Sequence, residues 1–143
     1  MIIRRAELID LSEIVVIERL CFPEEIAFPD GMFAYLIRYA ETMVAIDKSL
    51  IGFIIGFASG SIGSIYTLDI HPIHRRKGLG SLLISAMEEA LHARGAKIIR
   101  LEVDVGNFAA IRLYRNAGYS KIEIADDYYG RGKNAIRMVK TFE

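Results

Sequence analysis

The alternation of strand-like and helix-like periodicities along the 143 residues predicts an α/β fold with a mixed sheet flanked by helices. Three observations carry that reading. Residues 98–105 alternate cleanly, with Ile99, Leu101, Val103 and Val105 on one face and Arg100, Glu102 and Asp104 on the other. Residues 50–59 form an almost wholly apolar run, as expected of a strand covered on both faces. A glycine-rich turn at 75–80 leads into a segment with Leu82, Leu83, Ala86, Met87, Ala90 and Leu91 at helical spacing.

Taken in order, Ile2 to Arg4 begins as a short strand. Asp10 reads as the N-cap of a first helix, with Leu11, Ile14, Val15 and Glu18 falling on one face. Pro23 ends that helix near Cys21-Phe22, because proline disfavours helical geometry in the residue before it. An irregular loop from Phe22 to Pro29 follows, holding Glu24 and Glu25. Asp30 then offers a second N-cap, ahead of the stripe Phe33, Leu36, Ile37 and Ala40. Thr42–Ile46, Leu50–Ser59 and Ile62–Ile70 read as three successive strands, the first two joined at Asp47-Lys48-Ser49 and the third ended by His71-Pro72. The helix after the glycine turn stops at Gly95, and Ile98–Val105 is the next strand. Asn107–Asn116 is a short helix with Gly118 as its C′ residue. Ser120–Ala125 and Ala135–Phe142 are the closing strands. The order is β-α-α-β-β-β-α-β-α-β-β, read over 1–143 as one domain.

Composition removes several function classes. Hydrophobic residues at 52% against 25% charged exclude a disordered chain. Lys plus Arg and Asp plus Glu are 18 each, so there is no basic excess of the kind expected for coating nucleic acid or an anionic membrane. A single cysteine, Cys21, excludes an internal disulfide and a cysteine-based metal cluster. His71, His74 and His92 lack a carboxylate at metal spacing, so no metal is expected. Glu7 comes too early for a secretory signal, and the apolar run 50–58 is far short of the ~20 residues of a membrane helix. The expectation is a reduced, cytoplasmic protein with no nucleic acid or membrane partner.

The chemistry sits at Arg75-Arg76-Lys77-Gly78-Leu79-Gly80, between a strand and a helix. Glycine allows positive φ and close backbone approach. The helix directs its unpaired N–H groups and positive dipole end at whatever occupies the turn. With the basic run added, these residues describe a pyrophosphate cradle; the alternative is an ordinary turn with a solvated basic run. A dinucleotide fingerprint needs glycine where Leu83 stands, and a P-loop needs Ser or Thr where Asn134 follows Gly132-Lys133.

Arg75 to Gly80 fits the Arg/Gln-x-x-Gly-x-Gly/Ala signature, and on it the chain resembles the GNAT superfamily of acetyl-CoA-dependent N-acetyltransferases. Leu101-Glu102-Val103, Asn107, Ala109-Ala110-Ile111, Leu113-Tyr114, Gly118-Tyr119 and Tyr128-Tyr129 look like the branch that acetylates protein amino termini. That branch includes the bacterial ribosomal-protein alanine acetyltransferase and the catalytic subunits of archaeal and eukaryotic amino-terminal acetyltransferases. Cys21-Phe22-Pro23-Glu24 resembles the inter-helix segment of the latter.

The resemblance implies acetyl-CoA as cosubstrate and a GNAT-like fold. It implies that Leu68, Asp69 and Ile70 lend backbone groups to the pantetheine arm. Arg75, Arg76, Lys77, Gly78, Leu79 and Gly80 would hold the pyrophosphate, and Asn107 the cofactor arm unless it is only a helix N-cap. Glu102 matches the base of the bacterial enzyme; its alternative is a solvent-facing strand residue paired with Arg100. Glu24 competes as catalytic or substrate-binding glutamate, or is an exposed loop acid. Tyr114, twelve residues after Glu102, matches the acid that protonates the CoA sulfur, or else is a core tyrosine. Tyr128 and Tyr129 match the pair lining the peptide groove, or else pack at the hairpin base. The implied partners are protein or peptide amino termini, ribosomal proteins among them, with room for an auxiliary subunit. Two other functions stay open: transfer to lysine or a small amine, and a non-catalytic acetyl-CoA-binding module.

Overall fold

A computed structural model describes residues 1–24 and 27–142, with the Asp30 side chain left out. The strands are β1 (Ile2–Arg5), β2 (Glu41–Asp47), β3 (Ser49–Ser59), β4 (Ile62–Ile70), β5 (Ile98–Asp104), β6 (Ser120–Ala125) and β7 (Ala135–Thr141). The helices are α1 (Leu11–Cys21), α2 (Asp30–Tyr39), α3 (Leu79–Ala93) and α4 (Phe108–Asn116). The expected element order holds, with short 3-10 turns added at Leu8–Asp10 and Pro72–His74.

The strands make one seven-stranded sheet in the order β1-β2-β3-β4-β5-β7-β6. Only β4 and β5 run parallel; the five other pairs are antiparallel, so the sheet is mixed. The period-2 pattern explains the two cores. On β3, Phe53 and Ile55 pack against α1 and α2 with Ile14, Ile17 and Phe33. Ile54 faces the other way, into a cluster with Leu83, Met87 and Leu91 of α3 and Ile111 and Tyr114 of α4. Residues 50–56 are all buried, as the apolar run requires.

Asp10 stands at the N-cap of α1 as expected, but its side chain does not cap the helix; its carboxylate instead accepts the Glu7 N–H at 2.8 Å and a two-pronged bond from Arg4 at 2.9 Å on each oxygen. A nearby guanidinium that can reach both oxygens outcompetes one backbone donor, and it holds the Asp10 carboxyl below its usual range. Pro29, not Asp30, takes the N-cap position of α2, and Asp30 is its first residue.

One feature of the sheet makes room for a site. β4 and β5 are in register only from Ile62↔Ile98 to Ile65↔Leu101. Beyond that point, Tyr66–Ile70 and Glu102–Asp104 have no partners on each other, and the strands part. The parting begins where β4 carries an extra residue: Ile55 pairs with Thr67 and Gly56 with Ile65, leaving Tyr66 as a bulge.

Candidate active site

The crevice between the parted strands is bounded by α1, α3 and α4, and it has two sides. The wider side, about 420 Å³, is lined by Leu68, Ile70, Arg75, Arg76, Gly78, Leu79 and Gly80, with Cys21, Ala109 and Leu113. The narrower, about 90 Å³, is lined by Glu18, Phe28, Ile65, Tyr66, Thr67, Glu102, Val103, Asp104 and Tyr129. Phe22, Leu68, Asn107, Ala110 and Tyr114 line both, so the two sides meet beside Tyr114.

The wide side has the features of an anion cradle. Arg76 and Gly78 adopt left-handed backbone, with φ of 62° and 81°. A Cβ at Gly78 would meet nothing within 4 Å, so its outer face is open. The first-turn N–H groups of α3 have no helical acceptor and face this loop. Gly80 is required for a different reason: a Cβ there would lie 2.7 Å from Leu113 Cδ2, so glycine lets α3 approach α4. Arg76 and Lys77 are exposed. Arg75 turns back, its Nε donating to the Ile70 carbonyl at 3.1 Å and its guanidinium contacting Cys21 Sγ at 3.3 Å. It therefore braces the loop against the end of β4 while still lining the wide side.

Along β4, Leu68 and Ile70 face the wide side while Asp69 points the opposite way and is fully buried. Only the backbone of Asp69 is available to a ligand there. Asn107 caps α4, its Oδ1 accepting the Ala110 N–H at 3.2 Å, and also lines the crevice. The amide nitrogen remains as a donor, so the cap and a ligand contact are compatible.

On the narrow side the register of the sheet assembles a group around Glu102. Glu102 pairs across β5–β7 with Arg137, whose Nε donates to the Glu102 carboxylate at 3.1 Å. Arg137 also bonds Glu123 on β6, giving an ion-paired row across three strands. The Tyr129 hydroxyl donates to the Glu102 carbonyl at 3.2 Å. Tyr128 packs edge-on to Tyr129 at 4.9 Å, close enough to Glu102 to feel its charge. Burial, then the Glu102 charge, pushes the Tyr128 phenol up to about 12. Arg100, the partner considered from sequence, is not the one Glu102 uses.

Tyr114 is buried in the α4 core, edge-on to Tyr119 at 5.8 Å, and still lines both sides of the crevice. Burial, followed by the charges of Asp69 and Tyr129, holds its phenol well above the ordinary tyrosine value. Glu24 is elsewhere: it is exposed and lines a neighbouring hollow with Arg19, Pro23 and Ala27. That hollow shares only Phe22 and Phe28 with the narrow side.

Two residues escaped the sequence reading. Glu18 is 3% exposed and lines the narrow side. A signal existed, since a glutamate at the helical spacing of Leu11, Ile14 and Val15 puts a charge on a buried face. Arg137 had none, because its contact depends on strand register. Among the described residues no group of three His, Cys, Asp or Glu could hold a metal, and no helix is long and apolar enough to cross a membrane.

Residues 11–119 match the Acetyltransferase (GNAT) family. The N-alpha-acetyltransferase of Saccharolobus solfataricus is 31% identical over 96% of this chain and 91% of its own length. The ribosomal-protein-S18-alanine N-acetyltransferase from Escherichia coli has the same fold, with a TM-score of 0.87 over 99% of this chain and 94% of its own at 24% identity. An aminoglycoside 6'-acetyltransferase type Ii is nearly as similar, with a TM-score of 0.85 over 99% of this chain and 97% of its own at 23% identity.

Proposed function

Because the chain belongs to the acetyltransferase (GNAT) family, we propose that it moves the acetyl group of acetyl-CoA directly to the α-amino group of a protein or peptide. The observation that carries this reading is the meeting of the two sides of the crevice beside Tyr114. One side suits a pyrophosphate and its arm; the other suits a slim chain end that must reach a carboxylate. The archaeal relative, itself an N-alpha-acetyltransferase, supports the choice of acceptor. The E. coli structure makes ribosomal proteins a natural substrate class to try first.

In this mechanism Arg76–Gly80 and the first-turn N–H groups of α3 hold the pyrophosphate, and the unpaired edge of β4 at Leu68–Ile70 aligns the arm. Asn107 adds its amide donor. An α-amino group has a pKa of about 7.7–8.0, so roughly a tenth is neutral at pH 7, whereas a lysine near 10.4 is almost wholly charged. A modest base is enough for the first and not for the second. Glu102, held by Arg137, takes the ammonium proton through a water while Tyr128 and Tyr129 wall the peptide. The neutral amine nitrogen then bonds to the acetyl carbon as the carbon–sulfur bond breaks, and the nitrogen gives up its remaining excess proton through water to solvent.

Tyr114 acts as a hydrogen-bond donor to the departing sulfur. Full transfer of its proton would be uphill, since the phenol is raised while a thiol sits near 8.5. A neutral buried phenol can stabilise a thiolate without surrendering its proton. The thiolate takes its proton from solvent.

A second reading has one observation behind it: the fold is shared with an enzyme whose acceptor is an aminoglycoside. The experiment presents purified protein and acetyl-CoA with peptides starting Ser, Ala, Met-Leu or Asp, each containing lysine, beside N-terminally blocked copies. Mass spectrometry should find acetyl on free termini and none on blocked copies. Acetyl on blocked copies would move the assignment to lysine.

A further inference from the structure

Behind the narrow side, Glu18 of α1 and Asp69 of β4 meet in the protein interior, 3% and 0% exposed. Among the described residues neither forms an ion pair. Glu18 Oε2 accepts the Phe28 N–H at 2.8 Å, and Asp69 Oδ1 accepts the Thr67 hydroxyl at 2.6 Å. The other two oxygens, Glu18 Oε1 and Asp69 Oδ2, are buried with no donor. α1 packs on β4, and Glu18 is, after burial, the chief influence that raises Asp69, which places the two carboxyls side by side. Two ionised carboxylates in this position would repel, and each would keep a desolvated, unpaired oxygen. One proton removes both defects.

We propose that Glu18 and Asp69 hold a single proton between Oε1 and Oδ2, and that the pair is a positioning device for substrate: through the Phe28 N–H it keeps the apolar wall of Phe22 and Phe28 against β4. The Asp69 carboxyl donates its O–H to Glu18 Oε1, and Glu18 Oε2 holds Phe28. The pair carries one negative charge in all. The purpose of the wall rests on the function proposed above; the proton does not.

The surroundings agree. Burial, followed by the Glu18 carboxyl, raises Asp69 well above the carboxylate range, while the Thr67 hydroxyl and the Arg75 charge pull it back. The other titratable groups that feel this pair are Cys21 on α1 and Tyr114 on α4, both raised first by burial and then by negative charge at the pair. Opposite on β3 stands Phe53. A carboxyl raised in the folded state contributes stability that is complete below its unfolded pKa of about 3.9 and is lost as pH rises through the folded value. Above that value the second charge appears, the pair repels and Phe28 loses its anchor.

The test uses the full chain with two substitutions. Asp69→Asn gives Glu18 Oε1 a permanent N–H donor; Glu18→Gln gives Asp69 one and keeps a carbonyl for Phe28. Infrared spectra at neutral pH should show a protonated-carboxyl stretch in the parent that is absent from both variants. The hydrogen-exchange protection factor of the Phe28 amide should fall at least about tenfold with rising pH in the parent. In Asp69→Asn it should stay level. The peptide KM of the parent should rise over the same pH range with kcat moving less. If Asp69→Asn does not fold, Glu18→Gln supplies the same comparison. No acid band in the parent, or a Phe28 protection factor that ignores pH in the parent, would overturn the proposal. Absence of peptide acetylation would count against the function and leave both spectroscopic readouts standing.

Discussion

At Glu102 and Tyr114 the chemistry is divided between a surface-reachable carboxylate and a buried phenol. Glu102 keeps a side-chain exposure of 18%, enough to meet water, and Arg137 fixes its direction. Tyr114 has almost none, so its hydroxyl cannot be replaced by solvent. Glu102→Gln should lower kcat by about 10²-fold or more, the range for loss of a positioned base. Tyr114→Phe should lower it by about tenfold through loss of one hydrogen bond to developing charge. Neither should alter CoA affinity by titration calorimetry; unchanged turnover in both would sink the role assignment and revive the non-catalytic cofactor-binding module. These residues were legible because they sit in local patterns: Glu102 on the polar face of an alternating strand, Tyr114 on a helix stripe. Arg137 was not, because the Glu102↔Arg137 pairing joins residues 35 apart through strand register. Glu18 was visible as a charge among apolar positions, but its meaning depends on Asp69, which a distant strand brings to it.

Among the elements, β4 does most to create the site. It binds β3 along its whole length and leaves β5 halfway, after the bulge at Tyr66. Gly56 opposes that bulge, and a Cβ there would lie 2.8 Å from the Ser64 carbonyl oxygen and 2.8 Å from Met87 Sδ. Methionine can shift; the β4 backbone cannot do so without moving the bulge. Gly56→Ala should therefore cost about 1–3 kcal/mol in chemical denaturation, as overpacking does, and should weaken peptide binding as the crevice closes. An unchanged midpoint would show that the bulge is not held by this contact. Strand ends and the glycine turn were readable from periodicity and punctuation. The parting of β4 from β5 was not, since each strand is regular by itself and only their pairing ends early. The helix start at Asp10 was legible in position but not in its bonding, since Arg4 claims the carboxylate; at the second helix Pro29 takes the cap position ahead of Asp30.

For the molecule as a whole, the sheet places two unlike surfaces end to end. The α3 turn gathers N–H donors on the wide side, and the β5–β7–β6 edge gathers carboxylate and phenols on the narrow one. Zero net charge over 143 residues means that selection of substrate falls to this crevice and not to a long-range field. A transfer site so arranged should prefer one molecule that fills both sides at once. The most direct measurement compares two conjugates of CoA by titration calorimetry, one joined through an acetyl bridge to the α-nitrogen of a short peptide and one to a lysine ε-nitrogen of the same peptide with its terminus blocked. The α-linked conjugate should bind at least about 10²-fold more tightly than CoA alone, as a mimic of the reacting pair, and the ε-linked one no better than CoA. Equal affinities for the two conjugates, or the reverse order, would contradict the assignment of this crevice to amino termini.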